Sequence, residues 1–324
     1  MGTIQTLRGP IDASTLGRTL MHEHVFIRTL EIEQNWLAGW DRDAAVADAV
    51  VRLGELKEAG IDAIVDLTVP GLGRFIRPVL DVAEQIDLHI VGATGYYTYD
   101  VLPHFFRLRT AAHRGEGTDI LEDFFRADIE TGIDGTGVRA GILKCATDNQ
   151  GVTPAVERVL RAVARVHRAT GVPISTHTHA PTRRGLEQQA IFAEEGVDLS
   201  RVIIGHSGDT TDLDYLEELL AAGSTLGMDR FGVDLYCNTE QRIETVARLC
   251  ERGWASQLVL SHDTNCHIDW FDPDLLAKGA PNWHFLHISR DVVPALRAHG
   301  VSNAQIDQML IEAPRRILDH PPGY

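Results

Sequence analysis

Apolar residues along the chain alternate between two patterns. One recurs at helical spacing and stops at a glycine. The other is a short apolar or β-branched run that follows at once. Asp41 caps a predicted helix over 44–59, with Val46, Val50, Leu53 and Leu56 on one face and Gly60 as the stop. The run 61–67 reads as a buried strand. A Gly/Pro turn over 70–73, a helix over 76–85 and a strand over 88–94 follow, the strand running into an aromatic loop with Tyr96, Tyr97, Tyr99, Phe105 and Phe106. The alternation then continues: helix 119–131 with strand 138–144, helix 154–169 with strand 172–177, helix 184–195 with strand 201–206, helix 213–222 with strand 225–229, and helix 240–252 with strand 257–263. A long loop over about 264–282 precedes a last helical pair split at Gly300. The first strand is the short run 19–21, followed by a loop with Trp36 and Trp40.

Eight strands, each followed by a helix, predict parallel βαβ units. Units of roughly 30 to 40 residues fit a (β/α)8 TIM barrel, one domain over 1–324 with a long loop after strand eight. An open doubly wound sheet is the alternative. It would carry a glycine-rich phosphate turn after its first strand, where this chain has His22 and His24.

Composition narrows the function classes. The 324 residues carry a formal charge of −16, a poor balance for binding a phosphate backbone, so no nucleic-acid partner is expected. No apolar run approaches the roughly 20 residues that span a bilayer. Residues 1–10 hold one basic residue, Arg8, and no apolar stretch, which predicts no secretory leader. The cysteines Cys145, Cys237, Cys250 and Cys266 show no C-x-x-C spacing; they argue against a disulfide framework or a zinc knuckle and predict a reducing, cytoplasmic location.

The candidate chemistry lies where strands end, the face that carries activity in α/β barrels. His22 and His24 stand two apart, so a strand aims both imidazoles one way, a common start to a metal site. Read alone, they could equally be two surface histidines with separate partners. The other strand ends supply Lys144, His177, His206, Asp229 and Asp263. An aspartate closing an apolar strand needs a cation, either a metal or an arginine. His177 and His179 form a second H-x-H pair, and spacing alone leaves open which of them binds. His262 is expected to face the other side of its strand. An ammonium at Lys144 would repel a dication, so Lys144 reads either as a salt bridge to Asp263 or as a residue carbamylated by CO2.

Taken together, His22-Glu23-His24, Lys144, His177, His206 and Asp263 resemble the amidohydrolase superfamily and, within it, the phosphotriesterase family and its lactonase branch. Supporting stretches are Gly95-Tyr96-Tyr97-Thr98-Tyr99, Ile204-Gly205-His206 and Met228-Asp229-Arg230-Phe231-Gly232. The ending Ala313-Pro314-Arg315-Arg316 is similar to the family's Asn-Pro-basic-basic close, with alanine in place of asparagine. The resemblance covers essentially the whole chain. It implies two divalent metal ions, zinc first, with cobalt, iron or manganese as alternatives. His22, His24 and Asp263 would hold the buried ion and His177 and His206 the exposed one, bridged by carbamylated Lys144 and a hydroxide. His179 departs from the small or polar residue expected at its position.

The implied mechanism is attack of the bridging hydroxide on an ester carbonyl, with Asp263 shuttling the proton. Tyr97 would orient substrate or donate to the leaving oxygen; Arg230 would gate the pocket, unless it only pairs with Asp229. Ile268, Trp270, Phe271, Leu275, Leu276 and Trp283 suggest an acyl-chain groove, or else a small core of their own loop. The resemblance therefore points to N-acyl homoserine lactones as substrates, with organophosphate triester hydrolysis as a side activity. A dedicated phosphotriesterase, a carboxylesterase and a non-catalytic metal-stabilised barrel are the alternatives. It also implies a homodimer.

Overall fold

The computed structural model describes residues 2–36, 40–110, 112, 117–320 and 322–324. A hairpin, β1 (Thr3–Thr6) with β2 (Gly9–Asp12), opens the chain. Nine parallel strands follow in one curled sheet: β3 (Thr19–Ile27), β4 (Ala63–Asp66), β5 (His89–Gly95), β6 (Ile142–Ala146), β7 (Ile174–His177), β8 (Val202–Ile204), β9 (Thr225–Met228), β10 (Leu258–Leu260) and β11 (Asn265–Ile268). Their spatial order runs from β10 through β3 to β11. The sheet closes where Asp263 N–H donates to His22 O (3.0 Å) and His24 N–H to Thr264 O (2.9 Å). The fold is a (β/α)8 barrel.

Two layers of apolar side chains follow from the strand alternation. Met21, Ala63, Val65, Val91, Ala93, Ile142, Ile203 and Val259 fill the barrel, with Ile4, Leu16, Ile317 and Leu318 in the same cluster. Leu20, Ile64, Ile90, Leu143, Ile174, Ile204 and Leu258 pack outward in the larger cluster that includes the surrounding helices. Those helices start on good caps: Asp41 for Arg42–Glu58, Asp119 for Ile120–Glu130, Thr153 for Pro154–Thr170 and Asn238 for Thr239–Glu251. Among the described residues no helix is long and apolar enough to cross a membrane.

The structure corrects several expected boundaries. Strand one is nine residues, not three, so His22 and His24 lie inside it. Strand four begins at Ile142, because Arg139 and Ala140 precede the ladder. The eighth strand is split in two: the predicted run 257–263 pairs with β9 only as far as Leu260, the chain then breaks over 261–264, and β11 resumes beside β3. The expected long loop thus contains β11 and a helix, Pro273–Gly279. Trp36 and Trp40 flank residues 37–39, which lie outside the described residues.

Candidate metal centre

A β-bulge decides which way the first two histidines point. Leu20 pairs with Ile64 and Glu23 with Asp66, so three steps on β3 oppose two on β4. Met21 already faces the barrel interior. Strict alternation would then turn His22 and His24 outward; the extra residue reverses them, the usual use of a bulge beside a site. Both imidazoles face the barrel mouth, and Glu23 faces the other way.

The remaining four side chains come from β6 and β7 and from just after β8 and β10. His22 Nε2 and His24 Nε2 lie 3.4 and 3.1 Å from Asp263 Oδ1. His177 Nδ1 and His206 Nε2 are 2.8 Å apart. Lys144, on β6, reaches between the two pairs, with Nζ 3.1 Å from His22 Nε2 and 3.3 Å from Thr176 O. The structure thus brings together His22, His24, Lys144, His177, His206 and Asp263. Lys144 is not ion-paired with Asp263. Of the second H-x-H pair, His177 lines the cavity, whereas His179 turns away to Thr182 Oγ1 (2.8 Å) and packs on Tyr236.

Two of these residues occupy left-handed backbone, His206 (φ 57°) and Asp263 (φ 56°), a strained geometry for residues other than glycine. Gly205, just before the first, lets the chain pass close to β7, since a Cβ there would sit 2.0 Å from Thr176 O. Glu23 fixes the second. Its buried carboxylate accepts from Ser261 Oγ (3.0 Å), His262 N (3.0 Å), His262 Nδ1 (2.7 Å) and Thr264 N (2.9 Å), so it ties down the whole break that presents Asp263. His262 faces away from the cavity, as expected, and its Nε2 accepts from Ile288 N (2.9 Å).

Carboxylates back the imidazoles. Asp229 takes Nδ1 of both His22 (2.7 Å) and His206 (2.9 Å), leaving each Nε2 toward the cavity. His24 Nδ1 meets Thr68 Oγ1 (2.9 Å), which donates to Asp66 (2.5 Å). Ligand atoms of His22, His24 and Asp263, and of His22, His206 and Asp229, lie close enough to hold a metal ion. Asp229 is the weaker candidate of these, since both its oxygens already sit at hydrogen-bond distance from imidazole nitrogens. Arg230 does not pair with Asp229; it bonds Asp263 Oδ2 (3.0 Å) and Asp209 Oδ2 (2.9 Å), and buried Arg242 holds the other Asp209 oxygen (2.6 Å).

The environment shifts the titrating groups in directions that suit a cation. Burial pushes the Lys144 ammonium down to about 8 and His177 down to about 4. Burial also drives His206 well below the usual imidazole range. For Asp263 burial would raise the carboxyl, but His22, His206, His24 and Arg230 outweigh it and hold it well below the usual carboxylate range.

Above this floor lies a cavity of about 340 Å3. Its lining includes the polar Tyr97, Tyr99 and Arg230 and the apolar Leu235, Ile268, Trp270, Phe271, Leu276 and Trp283. Leu275, expected among them, is exposed and does not line the cavity. The Tyr97 hydroxyl bonds Tyr99 and lies 3.3 Å from His177 Nδ1. Burial and the neighbouring Tyr99 raise it well above the usual phenol value.

The chain is similar to known proteins over nearly its whole length. Residues 2–318 match the model of the Phosphotriesterase family. The chain belongs to the phosphotriesterase family. A solved phosphotriesterase from Mycobacterium tuberculosis superposes with a TM-score of 0.97 at 58% identity, over 99% of this chain and 100% of that one. An aryldialkylphosphatase of Saccharolobus solfataricus is 38% identical, over 95% of this chain and 96% of its own length. A third relative, a structure from "Molecular Engineering of Organophosphate Hydrolysis Activity from a Weak Promiscuous Lactonase Template", has a TM-score of 0.89 at 32% identity, over 98% and 99% of the two chains. As a family member the protein is a metal-dependent hydrolase acting on ester bonds, and the family depends on a binuclear metal centre.

Sequence reasoning missed the supporting residues: Glu23, Thr68, Asp66, Asp148, Asp209 and Arg242. Glu23 lies within the H-x-H motif, but nothing in that spacing tells what its carboxylate holds; the others come from other strands and loops and, for Arg242, from a helix. Their one signal is chemical: Glu23 is a carboxylate inside an apolar strand, which demands donors nearby.

Proposed function

We propose that this phosphotriesterase-family enzyme opens lactone rings, with N-acyl homoserine lactones as preferred substrates and organophosphate triesters as a side activity. The observation that carries this reading is the cavity, whose lining combines Lys144, Arg230 and four imidazoles with Leu235, Ile268, Trp270, Phe271 and Leu276. A polar ring would suit the first group and an acyl tail the second. The likeness to a protein described as a weak promiscuous lactonase template supports the choice of ester.

The donor set fits two divalent ions. His22, His24 and Asp263 would hold one, and His177 and His206 the other, with Lys144 between them as its carbamate. A buried amine brought down to about 8 is partly neutral near pH 7 and so can react with CO2. Imidazole and carboxylate donors suit zinc first and also cobalt, iron or manganese. When bound, such ions supply Lewis-acid polarisation of the ester carbonyl and make water nucleophilic at neutral pH.

The chain's own residues supply the rest. Asp263 takes the proton of the attacking water at a carboxylate kept ionised by its cationic neighbours, and passes it to the leaving alkoxide. Arg230 orients that carboxylate through Nε while Asp209 anchors its far side. Tyr97, protonated throughout the physiological range, donates to the ring oxygen or holds the carbonyl face. The unpaired, buried cysteines support a reducing cytoplasmic setting, and we expect one barrel domain per subunit of a homodimer.

The test compares kcat/KM on a long-chain N-acyl homoserine lactone, an open ester and a dialkyl aryl phosphate, together with metal content, for wild type and Lys144→Ala. Two ions per chain and fastest turnover of the lactone, both lost in the variant, support the reading. Two ions with the triester fastest would favour a dedicated phosphotriesterase, the reading that the aryldialkylphosphatase relative suggests. One ion or none, with Lys144→Ala unchanged, would overturn the carbamate-bridged centre.

A further inference from the structure

Each of the four imidazoles has one nitrogen toward the cavity and the other held from behind. For three of them the support is fully buried. Asp229 serves His22 and His206 from a position 1% exposed, and Thr68, itself bonded to Asp66, serves His24. His177 differs. Its Nε2 lies 3.3 Å from Asp148 Oδ2, and the Asp148 side chain is 23% exposed.

Asp148 does not belong to a strand. It stands on the turn just after β6, closed by Gly151 N–H donating to Asp148 O (2.8 Å), while Asp148 Oδ1 accepts from Asn149 N–H (2.5 Å). Other elements hold this turn: Arg184 donates to Asn149 O (2.7 Å) and Gln150 Nε2 to Tyr99 O (3.2 Å). The turn therefore sits in a set place with one carboxylate oxygen free for His177.

We propose that Asp148 is a positioning residue: it fixes His177 as the Nε2–H tautomer, so that Nδ1 presents its lone pair to the second metal ion and retains that ion selectively. The inference rests on the two-ion reading above. The geometry gives the reason for selectivity. Nδ1 of His177 is the atom that faces His206 Nε2 at 2.8 Å, whereas His22, His24 and Asp263 take no support from Asp148. A carboxylate behind an imidazole raises its basicity and prevents the ring from flipping; losing such a partner typically weakens a metal about 10–100-fold.

The experiment is chelator competition on zinc-loaded wild type, Asp148→Ala and Asp148→Asn, with thermal melting of each metal-free protein as a control for folding. The expected result is one ion per chain released about 10–100-fold more readily from Asp148→Ala, the other retained as in wild type. Asp148→Asn, which still accepts from Nε2–H but lacks the charge, should fall between; it also carries the test if the alanine variant does not fold. Wild-type retention of both ions in these variants overturns the inference, and so does equal weakening of both ions. Wild type that holds fewer than two ions overturns the underlying two-ion reading instead, and the inference falls with it.

Discussion

Glu23 shows how one side chain can set a site it does not enter. It sits between two histidines in sequence, yet its carboxylate lies on the opposite side of β3 and satisfies four donors from the broken eighth strand. Glu23→Ala should leave those donors without a partner. An orphaned buried donor costs about 1–3 kcal/mol, so a loss of at least about 3 kcal/mol is expected in urea unfolding of the metal-free protein. Asp263 would lose its left-handed backbone, and turnover should fall with it. A variant with wild-type stability and activity would show that the break folds without Glu23. The H-x-H motif itself was readable because its spacing is local. Glu23's role was not, because its partners lie some 240 positions away in sequence.

At the scale of elements, the strand-seven loop and the helix Thr239–Glu251 meet through Arg242. This side chain is 1% exposed, and it donates to Cys237 O as well as to Asp209. Asp263, Arg230, Asp209 and Arg242 thus form a line of alternating charge from the cavity floor to a helix. Breaking a buried ion pair by removing one partner costs about 3–5 kcal/mol. Arg242→Met should approach that loss in chemical denaturation and should also loosen Arg230, lowering kcat on ester substrates more than it raises KM. A methionine variant of unchanged stability and kcat would remove Arg242 from this line. The alternation of helices and strands was legible because glycine stops and β-branched runs are local signals. The split of strand eight was not: residues 261–263 follow directly on the apolar run Leu258–Leu260 and read as its end, and only bonding to β3 and Glu23 turns them out of the ladder.

For the whole molecule, stability and pH are linked through buried histidines away from the candidate metal residues. His167, inside the helix Pro154–Thr170, bonds Val172 O and the hydroxyl of Tyr324. Burial lowers its pKa below the usual 6.5. The unfolded chain therefore takes up the proton first as pH falls. The stability that neutral His167 contributes is full above about pH 6.5 and declines as pH drops toward its lower folded value. The gap in urea midpoint between wild type and His167→Gln should accordingly be wider at pH 7 than at pH 5; a gap that widens on acidification would contradict this sign. What the sequence determined by itself is what local chemistry can encode: the βα period, the glycine stops, and six metal-type residues placed in or just after five of the barrel strands. Only the tertiary structure decided which way those residues face. The bulge between Leu20 and Glu23 turns His22 and His24 inward, and the partners behind each imidazole come from other strands and loops. Side-chain type is written in the chain, whereas orientation and support depend on register and closure, which are set by contacts between residues far apart in sequence.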